Sequence, residues 1–131
     1  YTDLEDGFSL KYPPDWSYRR DLPKPQGCLE FYQDDSSGLC ISVVNDENIK
    51  EESIIDHLKG KGIVSDVIIN GVVGKTVSFG FPAPIAGYPG GQTQEYELIK
   101  NGRLYQLSVS SVEGTSAETS RQILSTFKFL D

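Results

Sequence analysis

Hydrophobic and polar positions alternate most regularly between Gln94 and Ser110, QEYELIKNGRLYQLSVS. Asn101-Gly102 lies at the centre of this stretch. That dipeptide tolerates positive φ at both central positions of a type I′ turn, so the stretch predicts a β-hairpin. Counting outward pairs Lys100 with Arg103, Ile99 with Leu104, Leu98 with Tyr105, Glu97 with Gln106 and Tyr96 with Leu107. One face then carries Tyr96, Leu98, Tyr105, Leu107 and Val109, an apolar surface that requires a core. The other carries Glu95, Glu97, Gln106 and Ser108, with Ile99 and Leu104 near the turn.

The same reading extends along the chain. Residues 1–6 are acidic and read as a loosely held lead-in. Phe8, Leu10 and Tyr12 alternate on one face of a strand that Pro13-Pro14 ends, because neither proline donates to a ladder. Trp16 and Tyr18 follow on a returning strand over 15–20. Cys28 to Gln33 and Leu39 to Asn45 flank an Asp34 to Gly38 turn as a further hairpin. Ile54, Ile55 and Leu58 form the stripe of a short amphipathic helix, with acids before it, Lys59 and Lys61 at its end, and Gly60 and Gly62 to stop it. Asn70-Gly71 marks another hairpin, placing Ile69 opposite Val72, Ile68 opposite Val73 and Asp66 opposite Lys75. Thr115 and Glu118 have capping-box spacing ahead of a helix whose buried stripe is Ala117, Ser120, Ile123, Leu124 and Phe127. Lys128-Phe129-Leu130 adds a last apolar anchor. The elements together predict one α+β domain over 1–131, an antiparallel sheet flanked by helices.

Composition narrows the function. A formal charge of -7 argues against a nucleic-acid backbone or an anionic membrane surface as partner, since both demand a basic patch. No run approaches the length of a membrane span. The chain contains no methionine, an initiator included, so its native start is expected upstream of Tyr1, together with any membrane or lipid anchor. Cys28 and Cys40 are its two cysteines, which permits one disulfide and excludes a cysteine-rich zinc site. With Asp35 to Gly38 as the turn, Cys40 faces Gln33 and Cys28 faces Asn45. The thiols then point to opposite sides of the sheet and are expected to be free; a shifted register would reverse this.

Four stretches together are similar to the PsbP-like family: GFSLKYPPDW over Gly7 to Trp16, ISVV over Ile41 to Val44 before a helix, KNGRLY over Lys100 to Tyr105, and ILSTFKF over Ile123 to Phe129. The family is named for an extrinsic subunit of photosystem II and includes many bacterial envelope proteins. The resemblance implies an antiparallel sheet between helical layers, an α/β/α sandwich, and life outside the cytoplasm behind a signal peptide, lipid anchor or single membrane helix. The photosystem subunit docks through basic surface residues that have no match here, so photosynthesis is not implied.

The candidate chemistry is sparse. His57 is the only histidine and reads as a solvated residue on the polar side of its helix. The acids at Asp34-Asp35 and Asp46-Glu47 could offer oxygens to calcium, but their spacing is not that of an EF-hand and turn chemistry explains them equally well. Neither a cofactor nor a metal is expected. The segment Phe81 to Gly91 combines three prolines with several apolar residues between two strands, and loops of this length are often functional. It is read either as a recognition loop presenting Phe81, Pro82, Ile85 and Tyr88 to a partner or as an ordinary connection folded over the sheet edge. The leading expectation is a monomeric, non-catalytic, extracytoplasmic module that binds a protein or cell-envelope component. It would touch a membrane only through a missing N-terminal anchor, and would not bind nucleic acid. The rival is a small-ligand-binding domain or a hydrolase with a carboxylate-based site.

Overall fold

The structure, a computed structural model, describes residues 1–20, 28–34, 37–45, 48–81, 90–112 and 117–130. Its elements in chain order are β1 (Thr2–Asp3), β2 (Phe8–Ser9), β3 (Ser17–Arg20), β4 (Leu29–Asp34), β5 (Ser37–Asn45), α1 (Glu51–Lys59), β6 (Ser65–Ile69), β7 (Val72–Phe81), β8 (Gly91–Lys100), β9 (Arg103–Val112), α2 (Glu118–Ser125) and β10 (Lys128–Phe129). Seven strands form one antiparallel sheet in the order β3-β4-β5-β9-β8-β7-β6, and β1-β2-β10 form a small second sheet. No helix among the described residues is long and apolar enough to cross a membrane.

Both Asn-Gly turns set their hairpins as the alternation predicts. Asn70, Gly71, Asn101 and Gly102 all adopt positive φ, the condition for a type I′ turn. Strands β8 and β9 pair Lys100 with Arg103 and Tyr96 with Leu107, and β6 and β7 pair Asp66 with Lys75. Because side chains alternate, this register sends Tyr96, Leu98, Tyr105, Leu107 and Val109 to one face, where all five are buried. Helix α2 covers that face with Ile123 and Leu124, and Phe127 follows it into the same core. Phe127 stacks on Phe8 at 5.3 Å between centroids, and the Tyr105 hydroxyl donates to the Asp6 carbonyl at 2.8 Å. These contacts fasten the small sheet to the large one. The opposite face meets α1 through Ile54 and Leu58, which close on Val77 and Leu104.

Four expectations are corrected. The stretches 7–12 and 15–20 do not pair with each other. Strand β2 has β1 on one side and β10 on the other, so it offers no free edge, and β3 joins β4 in the large sheet instead. The lead-in is anchored rather than loose: β1 lies within residues 1–6, and Asp6 is buried, its amide donating to the Asp3 carboxylate at 2.8 Å. Helix α2 begins later than the capping box would place it. Its N-cap is Ala117, without a side-chain cap, and the ladder opens with the Arg121 amide on the Ala117 carbonyl at 3.0 Å. Glu118, which a box requires one turn inside the helix, is thus its first residue.

The cysteines give the fourth correction. Strand β5 pairs β9 along its whole length, and β4 pairs β5 with a register irregularity between Tyr32 and Asp34. Cys40 therefore faces Glu30 rather than Gln33. An odd shift of register turns every side chain to the other face, which brings Cys28 and Cys40 to the same side. Their Cα atoms stand 5.7 Å apart and the two form a disulfide.

Candidate functional site

The polar face of the central hairpin lies on the α1 side of the sheet. Alternation along β8 puts Glu95 and Glu97 there, and the partner positions on β9 are Ser108 and Gln106. Leu58, fully buried against the sheet, fixes how α1 sits. His57 precedes it, and Lys61 follows in the turn closed by the Lys61 amide on the Leu58 carbonyl at 2.9 Å. Both side chains consequently reach down to the strands. With Cys40 and Ser42 of β5 they enclose a cavity of about 180 Å³.

Two interactions organise the cavity. The His57 Nδ1 atom stands 2.6 Å from Glu97 Oε1, and the Gln106 amide donates to the same oxygen at 3.1 Å. Lys61 Nζ donates to both Glu95 carboxylate oxygens at 3.0 Å. Glu97 is only 2% exposed, whereas the His57 side chain is 48% exposed. A buried carboxylate is costly unless it is hydrogen-bonded and charge-compensated, so Glu97 holds His57 and Gln106 to itself. Lys61 also stands 5.7 Å from the centre of the Phe79 ring, a second favourable position for its charge. His57, Glu95 and Glu97 present ligand-type atoms that all lie within 4.8 Å of one another.

Nearby, Lys75 ties α1 to the β6–β7 hairpin through Asp66 and, at 3.2 Å, Glu51. Its hydrogen bonds to these two carboxylates raise its pKa above the ordinary lysine value. A wider depression of about 490 Å³ beside β6 and β7 is lined, among the described residues, by Ile63, Ser65, Thr76, Val77, Ser78 and Gln94, none of them titratable. The smaller cavity is therefore the one equipped for chemistry.

His57 is exposed, as read, and is in addition held by the buried Glu97 carboxylate. The helix stripe placed it on the polar side of α1, but that side borders the sheet's own polar face. The available signal was Glu97, an acid in mid-strand on a face that Ile99 and Leu104 already marked as partly covered. Lys61 was read only as a helix terminus. Of the loop candidates, Phe81 is the last residue of β7, and Pro82, Ile85 and Tyr88 lie outside the described residues. Residues 35–36 and 46–47 of the two acidic turns also lie outside them.

No protein-family model matches the chain, and no curated protein does. Solved structures do. A crystal structure from Bacteroides thetaiotaomicron superposes with a TM-score of 0.71 at 20% identity, covering 95% of this chain and 45% of that one. The chain thus spans less than half of the Bacteroides protein. The solution structure of cyanobacterial PsbP from Synechocystis sp. PCC 6803 matches with a TM-score of 0.64 at 14% identity, over 98% of this chain and 90% of the other. LpqN of Mycobacterium tuberculosis, involved in cell envelope biogenesis, matches at 0.59 and 14% identity, over 98% and 87%. The chain has a PsbP-like fold.

Proposed function

We propose that this chain is a non-catalytic binding module working outside the cytoplasm, the folded part of a protein held at the cell envelope by a segment upstream of Tyr1. The observation that carries the reading is the likeness of fold, over 98% of the chain, to LpqN, a protein involved in cell envelope biogenesis. The Cys28–Cys40 disulfide supports the location, because such bonds persist in oxidising compartments and are rare in the cytosol. The partner is a protein or an envelope component, met by a monomer. Its contact segment runs from Phe81 through Pro82, Ile85 and Tyr88, where prolines limit the entropy lost on docking. Photo-cross-linking in cells from a probe at Tyr88 tests this. The expected result is one dominant envelope adduct that disappears with Ile85→Ser; adducts no more abundant than from an exposed control position would contradict it.

One observation favours the alternative of a small-ligand or hydrolytic site. Glu97 holds His57 through Nδ1, the arrangement in which a carboxylate orients an imidazole as a general base. A hydrolase also needs a positioned nucleophile. Ser42 and Ser108 line the same cavity, yet among the described residues no hydroxyl hydrogen-bonds to His57. The volume of about 180 Å³ is also below the roughly 300–1,000 Å³ usual for organic ligands. The cavity suits an ion better than a substrate.

A further inference from the structure

We propose that His57, Glu95 and Glu97 form a binding site for a divalent transition-metal cation of the zinc type, with Lys61 as a displaceable internal cation. The inference is independent of the loop-mediated partner reading, since it uses none of the same residues.

The ligand chemistry comes first. Imidazole nitrogen and carboxylate oxygen are both donors that zinc accepts, and here they come from two elements, α1 and β8. Zinc bonds of about 2.0–2.2 Å to nitrogen and oxygen put neighbouring ligand atoms of a tetrahedral complex roughly 3.3–3.5 Å apart. The atoms here span 2.6 Å between His57 Nδ1 and Glu97 Oε1 up to a limit of 4.8 Å, so the target lies inside the present spread. Side-chain rotation alone would bring them to it. Calcium fits less well, because it requires six to eight oxygen ligands and does not favour imidazole.

The electrostatics supply the second, independent argument. Glu97 is 2% exposed, and among the described residues its carboxylate is met by a half-exposed imidazole and the neutral Gln106 amide. Glu95 is met by Lys61, a flexible side chain that is 33% exposed. The cavity thus holds two carboxylates compensated from its rim by movable groups, with room in the middle for an ion. Lys61 can be released at the rim, where its side chain still reaches solvent, and the Phe79 ring offers the freed ammonium a place to rest. Gln106 stays on Glu97, orienting the carboxylate as outer-shell partners of metal ligands do. A fourth position remains for water or for a group from a partner.

The test is a calorimetric titration of the purified, chelator-stripped protein with zinc chloride, alongside His57→Ala, Glu97→Gln and Lys61→Met. Circular dichroism and melting curves confirm that each variant is folded. The expected result is a single zinc per chain, binding weakened by about tenfold or more in His57→Ala and Glu97→Gln. Lys61→Met is expected to bind more tightly than the parent, which no merely structural role for the ion pair would produce. Calcium chloride in place of zinc should give no comparable heat. Zinc binding that is unchanged in His57→Ala and Glu97→Gln overturns the proposal, and so does the absence of binding in the parent and Lys61→Met proteins alike.

Discussion

The same strands serve the large sheet's two faces, and the faces have been filled in opposite ways. Toward α2, the core cluster joins seventeen buried residues among those described, including Phe8, Phe31, Leu98, Leu107 and Phe127. Toward α1, four buried residues suffice, and the adjoining space holds His57, Lys61, Glu95 and Glu97. A face packed with aliphatic and aromatic groups contributes stability in proportion to the area it removes from water. A face that spends its central positions on charge gives up that gain for directed hydrogen bonds, and such trades concentrate at functional sites. The α2 face holds the fold together; the α1 face leaves a built polar cavity.

Truncation should separate the two most sharply. Phe31→Ala, at a position of 0% exposure, is expected to cost about 3–5 kcal/mol in urea unfolding, while His57→Ala, which leaves the buried Glu97 carboxylate to Gln106, costs less, about 1–3 kcal/mol. A His57→Ala loss as large as that of Phe31→Ala would make the cavity a structural feature and break the division. Next comes the bond that joins β4 to β5. The double change Cys28→Ser with Cys40→Ser frees the unfolded chain of a loop closed over a separation of 12 residues and should destabilise by about 2–3 kcal/mol, with parent and variant equal under reducing conditions.

A smaller effect tests how completely the α2 side is packed. The Ser120 hydroxyl, on the buried side of α2, has no hydrogen-bond partner among the described residues. Ser120→Ala should therefore raise stability by about 1 kcal/mol, read as an upward shift in the urea midpoint. No gain would mean that the hydroxyl is satisfied, and that this face carries a polar interaction of its own.

The last effect is pH-dependent. Burial pushes the Tyr1 phenol up to about 12, helped by the charge of Asp3 and a hydrogen bond to it. Hydrogen bonds to Asp66 and Glu51 raise Lys75. Both groups have folded values above their unfolded ones, so both contribute stability that is fully present below about pH 10 and lost as pH rises through the folded values. Urea midpoints should be flat near pH 8–9 and fall above about pH 10. Tyr1→Phe should remove the part of this slope that comes from the α2 side, and Lys75→Met the part from the α1 side. A midpoint that stays flat to pH 11 would contradict both assignments.

How legible the molecule was in its sequence differs between the faces for a physical reason. Period-two alternation and two Asn-Gly turns determine the β6–β7 and β8–β9 hairpins residue by residue, so Tyr96, Leu98, Tyr105, Leu107 and Val109 can be placed in the core from pattern alone. The stripe of Ala117, Ser120, Ile123, Leu124 and Phe127 was equally legible, because helix periodicity is local. Pairing partners were not. Which strand lies beside β2, and how β4 registers on β5, depends on long-range closure and on an irregularity that composition does not signal. The disulfide was missed for that one reason. The cavity was half legible: its strand residues were on the correct face, but His57 and Lys61 join it only because of where α1 crosses the sheet, a tertiary fact.

The most direct test of the division between faces is a two-dimensional amide NMR titration of the labelled protein with zinc chloride. Perturbations confined to residues 57–61, 95–97 and 106–108 would confirm that the α1 face binds zinc. Perturbations centred on α2 and the Phe8–Phe127 core, or a spectrum that zinc leaves unchanged, would contradict it.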